Sequence, residues 1–120
     1  MDKTVRMTML FDFFGNLLTE KQREYFDLYY NENLSLSEIA ENDGISRQGV
    51  RDIIVRAEAI LESTEAKTGI MRRYSEIQND IKIIEDFVKE IAQLNQSRFK
   101  NGQLLTLCND IYERLQFLKN

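Results

Sequence analysis

The chain has 120 residues, 42% apolar and 30% charged, with 16 Lys and Arg against 20 Asp and Glu for a formal charge of −4, enough for one domain or one small domain with an extension. The absence of His and the presence of one Cys exclude His-based triads, HExxH zinc sites, an internal disulfide and a thiolate metal cage, so no catalytic set, no cofactor and no metal is expected. No apolar run approaches the roughly 18 residues of a membrane span, and the short Met7–Phe14 run lacks the layout of a secretion signal, which together predict a cytoplasmic protein.

Zero prolines leave helix interiors unbroken, and the five glycines then act as punctuation. With no period-two alternation of β-branched residues, the prediction is all-α. A first helix is expected from Val5 to Phe14, capped by Asp2 or Thr4 and ended at Gly15. Its apolar residues suit packing better than a membrane surface, for which cations are too few. Thr19 and Gln22 form a capping box that opens a second helix, whose aromatic face holds Tyr25, Phe26 and Tyr29 and which fades at Asn31 to Asn33. Ser35 and Glu38 form another for a short third helix ending near Asp43 and Gly44. A fourth begins at Ser46 and runs to Thr64 or Thr68.

Beyond Gly69 the pattern changes. Ile70, Tyr74, Ile77, Ile81, Ile84, Val88, Ile91 and Asn95 recur at four-three spacing, a heptad seam on a helix about 39 Å long. The polar stretch from Asn95 to Gly102 predicts a loop. Leu104, Cys108, Ile111, Leu115 and Leu118 repeat the seam on a last helix, giving an antiparallel hairpin. The seam serves either the hairpin's own packing or a second copy, and a homodimer built by these helices is expected. Asn95 at a seam position sets register or marks the helix end. Cys108 is expected as a buried free thiol. The predicted division is 1–65 for an N-terminal helix-turn-helix domain and 66–120 for a long helix and C-terminal helix.

The most specific signal lies between Leu36 and Ile53. Ile39, Ile45, Val50 and Ile53 supply facing apolar residues, Ala40 a small residue for the helix crossing, and Gly44 a residue free to adopt positive φ in the turn. Ser46 caps the following helix and places Arg47, Gln48, Arg51 and Asp52 on its exposed early turns. In a helix that enters the major groove, those turns meet base edges, with Arg suited to guanine and Gln to adenine. Residues 46–57 hold Arg47, Arg51 and Arg56 against Asp52. The candidate nucleic-acid set is therefore Ser46, Arg47, Gln48, Arg51 and Asp52, with Asp52 as discriminator. The competing reading takes them as ordinary solvated helix residues. Lys67, Arg72 and Arg73 flank Gly69 and read either as phosphate contacts or, the favoured reading, as a solvated helix junction.

Leu36-Ser37-Glu38-Ile39-Ala40, Gly44-Ile45-Ser46-Arg47 and Val50-Arg51 resemble the helix-turn-helix of region four of bacterial sigma factors. The wider run is more similar to one family. Leu10-Phe11-Asp12-Phe13, Leu18-Thr19-Glu20-Lys21-Gln22-Arg23, Leu28-Tyr29-Tyr30 and Ser46-Arg47-Gln48-Gly49-Val50, with Arg56 and Glu58, look like the YlxM-type family. That resemblance covers about residues 5–65. It implies a small helix-turn-helix protein whose gene neighbours those of the signal recognition particle GTPase and its receptor, acting in or regulating protein targeting.

Two partner classes follow. One is duplex DNA, for a DNA-binding regulator. The other is the signal recognition particle, its GTPase or its RNA, for an accessory protein that binds no DNA. Charge bears on the choice: residues 1–60 hold seven Lys and Arg against eleven Asp and Glu, and phosphate contacts need cations. Two positions depart from the usual helix-turn-helix pattern. Asp43 stands where an apolar residue is common, which predicts a looser turn or an early fraying helix. Gly49 sits on the recognition helix, at about 1 kcal/mol relative to Ala.

Overall fold

The computed structural model describes residues 1–119. Six α-helices account for most of them: α1 (Lys3–Phe14), α2 (Glu20–Tyr30), α3 (Leu36–Asp43), α4 (Arg47–Thr68), α5 (Ile70–Leu94) and α6 (Gly102–Leu118). Among the described residues there is no strand, and the fold is all-α. The described residues form two compact units, residues 1–71 and 72–119.

In the first unit, short polar side chains set the helix starts. The Asp2 carboxylate accepts from the Thr4 amide at the head of α1. The Thr19 and Gln22 box is complete, at 3.2 and 3.0 Å, and so is that of Ser35 and Glu38, at 3.1 Å in each direction. Each box satisfies two backbone amides that no helical carbonyl can reach. Gly44 (φ 67°) and Gly69 (φ 63°) end α3 and α4 in the left-handed region, where a Cβ would be strained. A short 3₁₀ turn, Gly15–Leu17, joins α1 to α2.

Two apolar clusters hold this unit. Leu10 and Phe14 of α1, Phe26 of α2, and Ala57 and Leu61 of α4 form one, with Phe11 stacked on Phe26 at 5.0 Å between ring centres. Tyr25, Ile39, Ala40, Val50 and Ile54 form the other, where α2, α3 and α4 meet. The long helix α4 thus serves both, its second and third turns against α3 and its later turns against α1. Arg6 grips Glu62 through two hydrogen bonds of 2.7 Å, tying α1 to α4. Buried Glu65 accepts from the Met71 amide at 2.8 Å and so caps the free N-terminus of α5.

The second unit is the antiparallel hairpin of α5 and α6. Its seam is narrower than the heptad predicts. Ile81 and Val88 of α5 pack on Cys108 and Leu115 of α6, whereas Ile77, Ile84 and Ile91 stay exposed. The reason is local: the position between Ile81 and Val88 that turns toward α6 belongs to Glu85. It is buried there among Lys119 Nζ (2.6 Å), Lys89 Nζ (3.2 Å) and Gln116 Nε2 (3.0 Å). Hydrogen bonds from Lys119, then Gln116 and Lys89, hold its carboxyl at about 2. Charge thus replaces the apolar contact along one side of the hairpin.

The loop expected at Asn95 to Gly102 is mostly helical. The chain continues as a π-helical turn, Asn95–Phe99, before Lys100 reverses it at φ 46°. Asn95 explains this. Its buried side chain donates to the Asn101 carbonyl and accepts from the Asn101 amide, both at 2.9 Å, like a peptide group of an adjacent strand. Asn101 in turn caps α6, its Oδ1 accepting from the Gln103 and Leu104 amides.

Candidate nucleic-acid interface

The turn between α3 and α4 is built on Ala40. Its carbonyl accepts from the amides of both Gly44 and Ile45, which folds the chain sharply back after α3. Nothing lies within 4 Å of where a Gly44 Cβ would stand, so only the backbone conformation calls for glycine there. Ala40 itself is buried at the crossing, between Ile39 and Val50.

Asp43 does not loosen this turn; it fastens it. The Tyr25 hydroxyl donates to Asp43 Oδ2, and Lys21 Nζ reaches the same oxygen at 2.9 Å. The Tyr25 bond and then the Lys21 bond push the Asp43 carboxyl below the usual carboxylate range. The same pair raises Tyr25 and Lys21, each through its hydrogen bond to Asp43. The last residue of α3 is therefore moored to α2, and the angle at which α4 leaves the turn is fixed.

Ser46 is the N-cap of α4, its Oγ accepting from the Gly49 amide at 3.0 Å. A Cβ on Gly49 would sit 3.1 Å from that oxygen, so the small residue keeps the cap uncrowded. Arg47, Gln48, Arg51 and Asp52 all lie exposed on the first two turns of α4. Gln48 Nε2 donates to Asp52 Oδ1 at 2.8 Å, so these two predicted residues are joined. Among the described residues, neither Arg47 nor Arg51 enters an ion pair, unlike Lys3, Arg6 and Lys21, which are taken up by Glu58, Glu62 and Asp43.

Ile45, expected to face inward between the two helices, is instead 39% exposed in the turn, and Val55, one turn beyond Arg51 and absent from the predicted set, is 43% exposed. Val55 was legible in principle, since Arg47, Arg51 and Val55 are spaced by four and share a face. The face is thus a row of two unpaired guanidinium groups bordered by apolar side chains. No group of three or more metal-ligating side chains occurs among the described residues.

The fold and this face define a helix-turn-helix protein. Residues 1–104 match the model of a family described as "Putative helix-turn-helix protein, YlxM / p13 like", and the chain belongs to that family. It is 40% identical over 117 residues to a UPF0122 protein of Thermoanaerobacter sp. (strain X514), covering 98% of this chain and 97% of that one. It is 44% identical over 96 residues to a UPF0122 protein of Bacillus cereus (strain AH187) and to one of Bacillus anthracis (strain A0248), covering 80% of this chain and 87% of each. The family's description names a helix-turn-helix and no enzymatic activity. Among the described residues no helix is long and apolar enough to cross a membrane.

Proposed function

We propose that this protein is a cytoplasmic regulator that binds duplex DNA through the first two turns of α4. The observation that carries this reading is the pair Arg47 and Arg51, exposed and without an ion pair on a helix whose entry angle is fixed by the moored α3. In a major groove, those guanidinium groups suit guanine O6 and N7, and Gln48 suits adenine. Asp52 holds Gln48 in place and selects against bases that offer it no donor. The Ser46 hydroxyl keeps its proton for a phosphate, since its oxygen only accepts within the cap. Apolar Val55 matches a thymine methyl. Regulation of protein targeting is the part of the reading that family resemblance supports.

A second reading is favoured by the acidic surplus of residues 1–60 and by the half-exposed Ile45 and Val55. In it, the same face meets the signal recognition particle, its GTPase or its RNA, and the protein is an accessory of that machinery.

Fluorescence anisotropy against fragmented genomic duplex, repeated at several salt concentrations, separates them. The DNA reading expects saturable binding near 10⁻⁸ M on a subset of fragments and a loss of affinity with salt that counts the phosphates engaged, about 0.9 log unit per contact for each tenfold rise in salt. Arg47→Ala with Arg51→Ala removes it. Binding no tighter than about 10⁻⁴–10⁻⁶ M, or a double variant that binds like the parent, refutes it and leaves the targeting-machinery reading.

A further inference from the structure

We infer that the hairpin of α5 and α6 closes on a second copy of this chain, through one apolar face, to form a four-helix bundle. The inference concerns a different unit from the proposed DNA face and does not rest on it.

The two sides of the hairpin are unlike. Successive residues of a helix advance by about 100°. Relative to the line joining the two helices, Lys89, Tyr112 and Gln116 fall on one side. There Lys89 lies 5.9 Å from the Tyr112 ring centre, and Gln116 and Lys119 close on Glu85. That side is finished by charge. On the other side Ile77, Ile84 and Ile91 run along α5 at seven-residue spacing, and Leu104, Ile111 and Leu118 run along α6 at the same spacing. Because the helices are antiparallel, both stripes turn the same way, roughly 30–90° from the buried seam. All six are exposed, Ile84 at 45% and Ile111 at 43% among them. Phe87 and Leu107 widen the face and are exposed as well.

Three arguments name the occupant. The first is area. Half-exposed side chains of this size leave on the order of 700–800 Å² of apolar surface on this face, above the largest patch of a typical monomer and close to the share of each partner in a standard interface. The second is period. A seven-residue apolar repeat is matched by helices with the same repeat, and a second hairpin offers two of them. The third is symmetry. Two antiparallel helices with in-plane stripes are self-complementary under a two-fold axis, and the result is the up-down arrangement in which every adjacent pair is antiparallel.

Sedimentation equilibrium of the full chain across micromolar concentrations tests this. The expected mass is twice the 14.2 kDa of one chain. Ile84→Lys with Ile111→Lys gives a single-chain mass with the helical circular dichroism retained, because both side chains lie outside the seam. Leu105→Lys, on the opposite side of α6, stays paired. Should the double variant lose helicity, Ile84→Ser alone decides: it raises the dissociation constant more than about tenfold. A wild-type chain that sediments as one copy, a mass above two copies, or an Ile84→Ser variant that pairs like the parent overturns the inference. The first of these outcomes assigns the face to a different protein.

Discussion

Replacing Gly44 by alanine tests the turn that aims α4. Gly44 has φ 67°, and no heavy atom stands within 4 Å of the Cβ that alanine would add. No collision contributes, so the cost is conformational alone. Placing an L-residue in the left-handed region costs about 1–2 kcal/mol. Alanine also restricts the unfolded chain, which returns roughly 0.4–1 kcal/mol. The net expectation is a loss of about 1 kcal/mol, roughly a fivefold shift of the folding equilibrium. Asparagine tolerates this region better than alanine, and valine worse. The stability order is therefore Gly44, then Gly44→Asn, Gly44→Ala and Gly44→Val. The assay is urea unfolding followed through backbone amide resonances of residues 1–71, which reports this unit separately from the hairpin. A Gly44→Ala cost below about 0.3 kcal/mol or above about 3 kcal/mol would show that the turn is not held as described, and so would an alanine variant more stable than the asparagine one.

Further predictions concern the core, the cap and the hairpin. Leu61 is fully buried between α1 and α2, and Leu61→Ala is expected to cost about 2–5 kcal/mol in the same titration. Ser46→Ala removes the acceptor of the Gly49 amide, costs about 1 kcal/mol and speeds hydrogen exchange at Gly49 itself. Unchanged exchange there contradicts the cap. Glu85 has its carboxyl lowered from 4.5 to about 2 by Lys119, Gln116 and Lys89. A carboxylate lowered on folding stabilises above its unfolded value and loses that contribution as pH falls through its folded one. The hairpin should thus lose stability between about pH 5 and pH 2, read by circular dichroism. Glu85→Gln should flatten that slope, and an equally steep acid transition in the variant argues against the assignment.

Local signals carried much of the fold. Thr19 with Gln22 and Ser35 with Glu38 lie three residues apart, and a box at that spacing is complete within its own sequence. Gly44 and Gly69 end helices for reasons that also stay local. The features that escaped depend on residues far along the chain. Asp43 looked out of place because Tyr25 and Lys21, which hold it, lie 18 and 22 residues earlier on another helix. Gly49 looked like a weak point of α4, although its missing Cβ spares the cap oxygen. Glu65 gave no sign that it would be buried beneath the start of α5. The heptad showed that α5 carries an apolar arc. It did not show that α6 would take only one edge of it, because that choice follows from Glu85 and its partners across the hairpin. At the candidate site, cap and periodicity were enough to locate Arg47 and Arg51. The Gln48 and Asp52 bond and the exposure of Ile45 required coordinates.

The hairpin tip also sets how the protein ages. Asn101-Gly102 is the single Asn-Gly step of the chain, and such steps are the most prone to deamidate, because the glycine amide readily closes on the asparagine side chain. Here that side chain is occupied: its Oδ1 accepts from the Gln103 and Leu104 amides while the backbone of Asn101 is held by Asn95. Ring closure must first break the cap of α6. The bonds that shape the turn therefore also act as a brake on a chemical clock. The clock runs only while the tip is open, so the rate at which this asparagine turns acidic in storage records how often the hairpin opens.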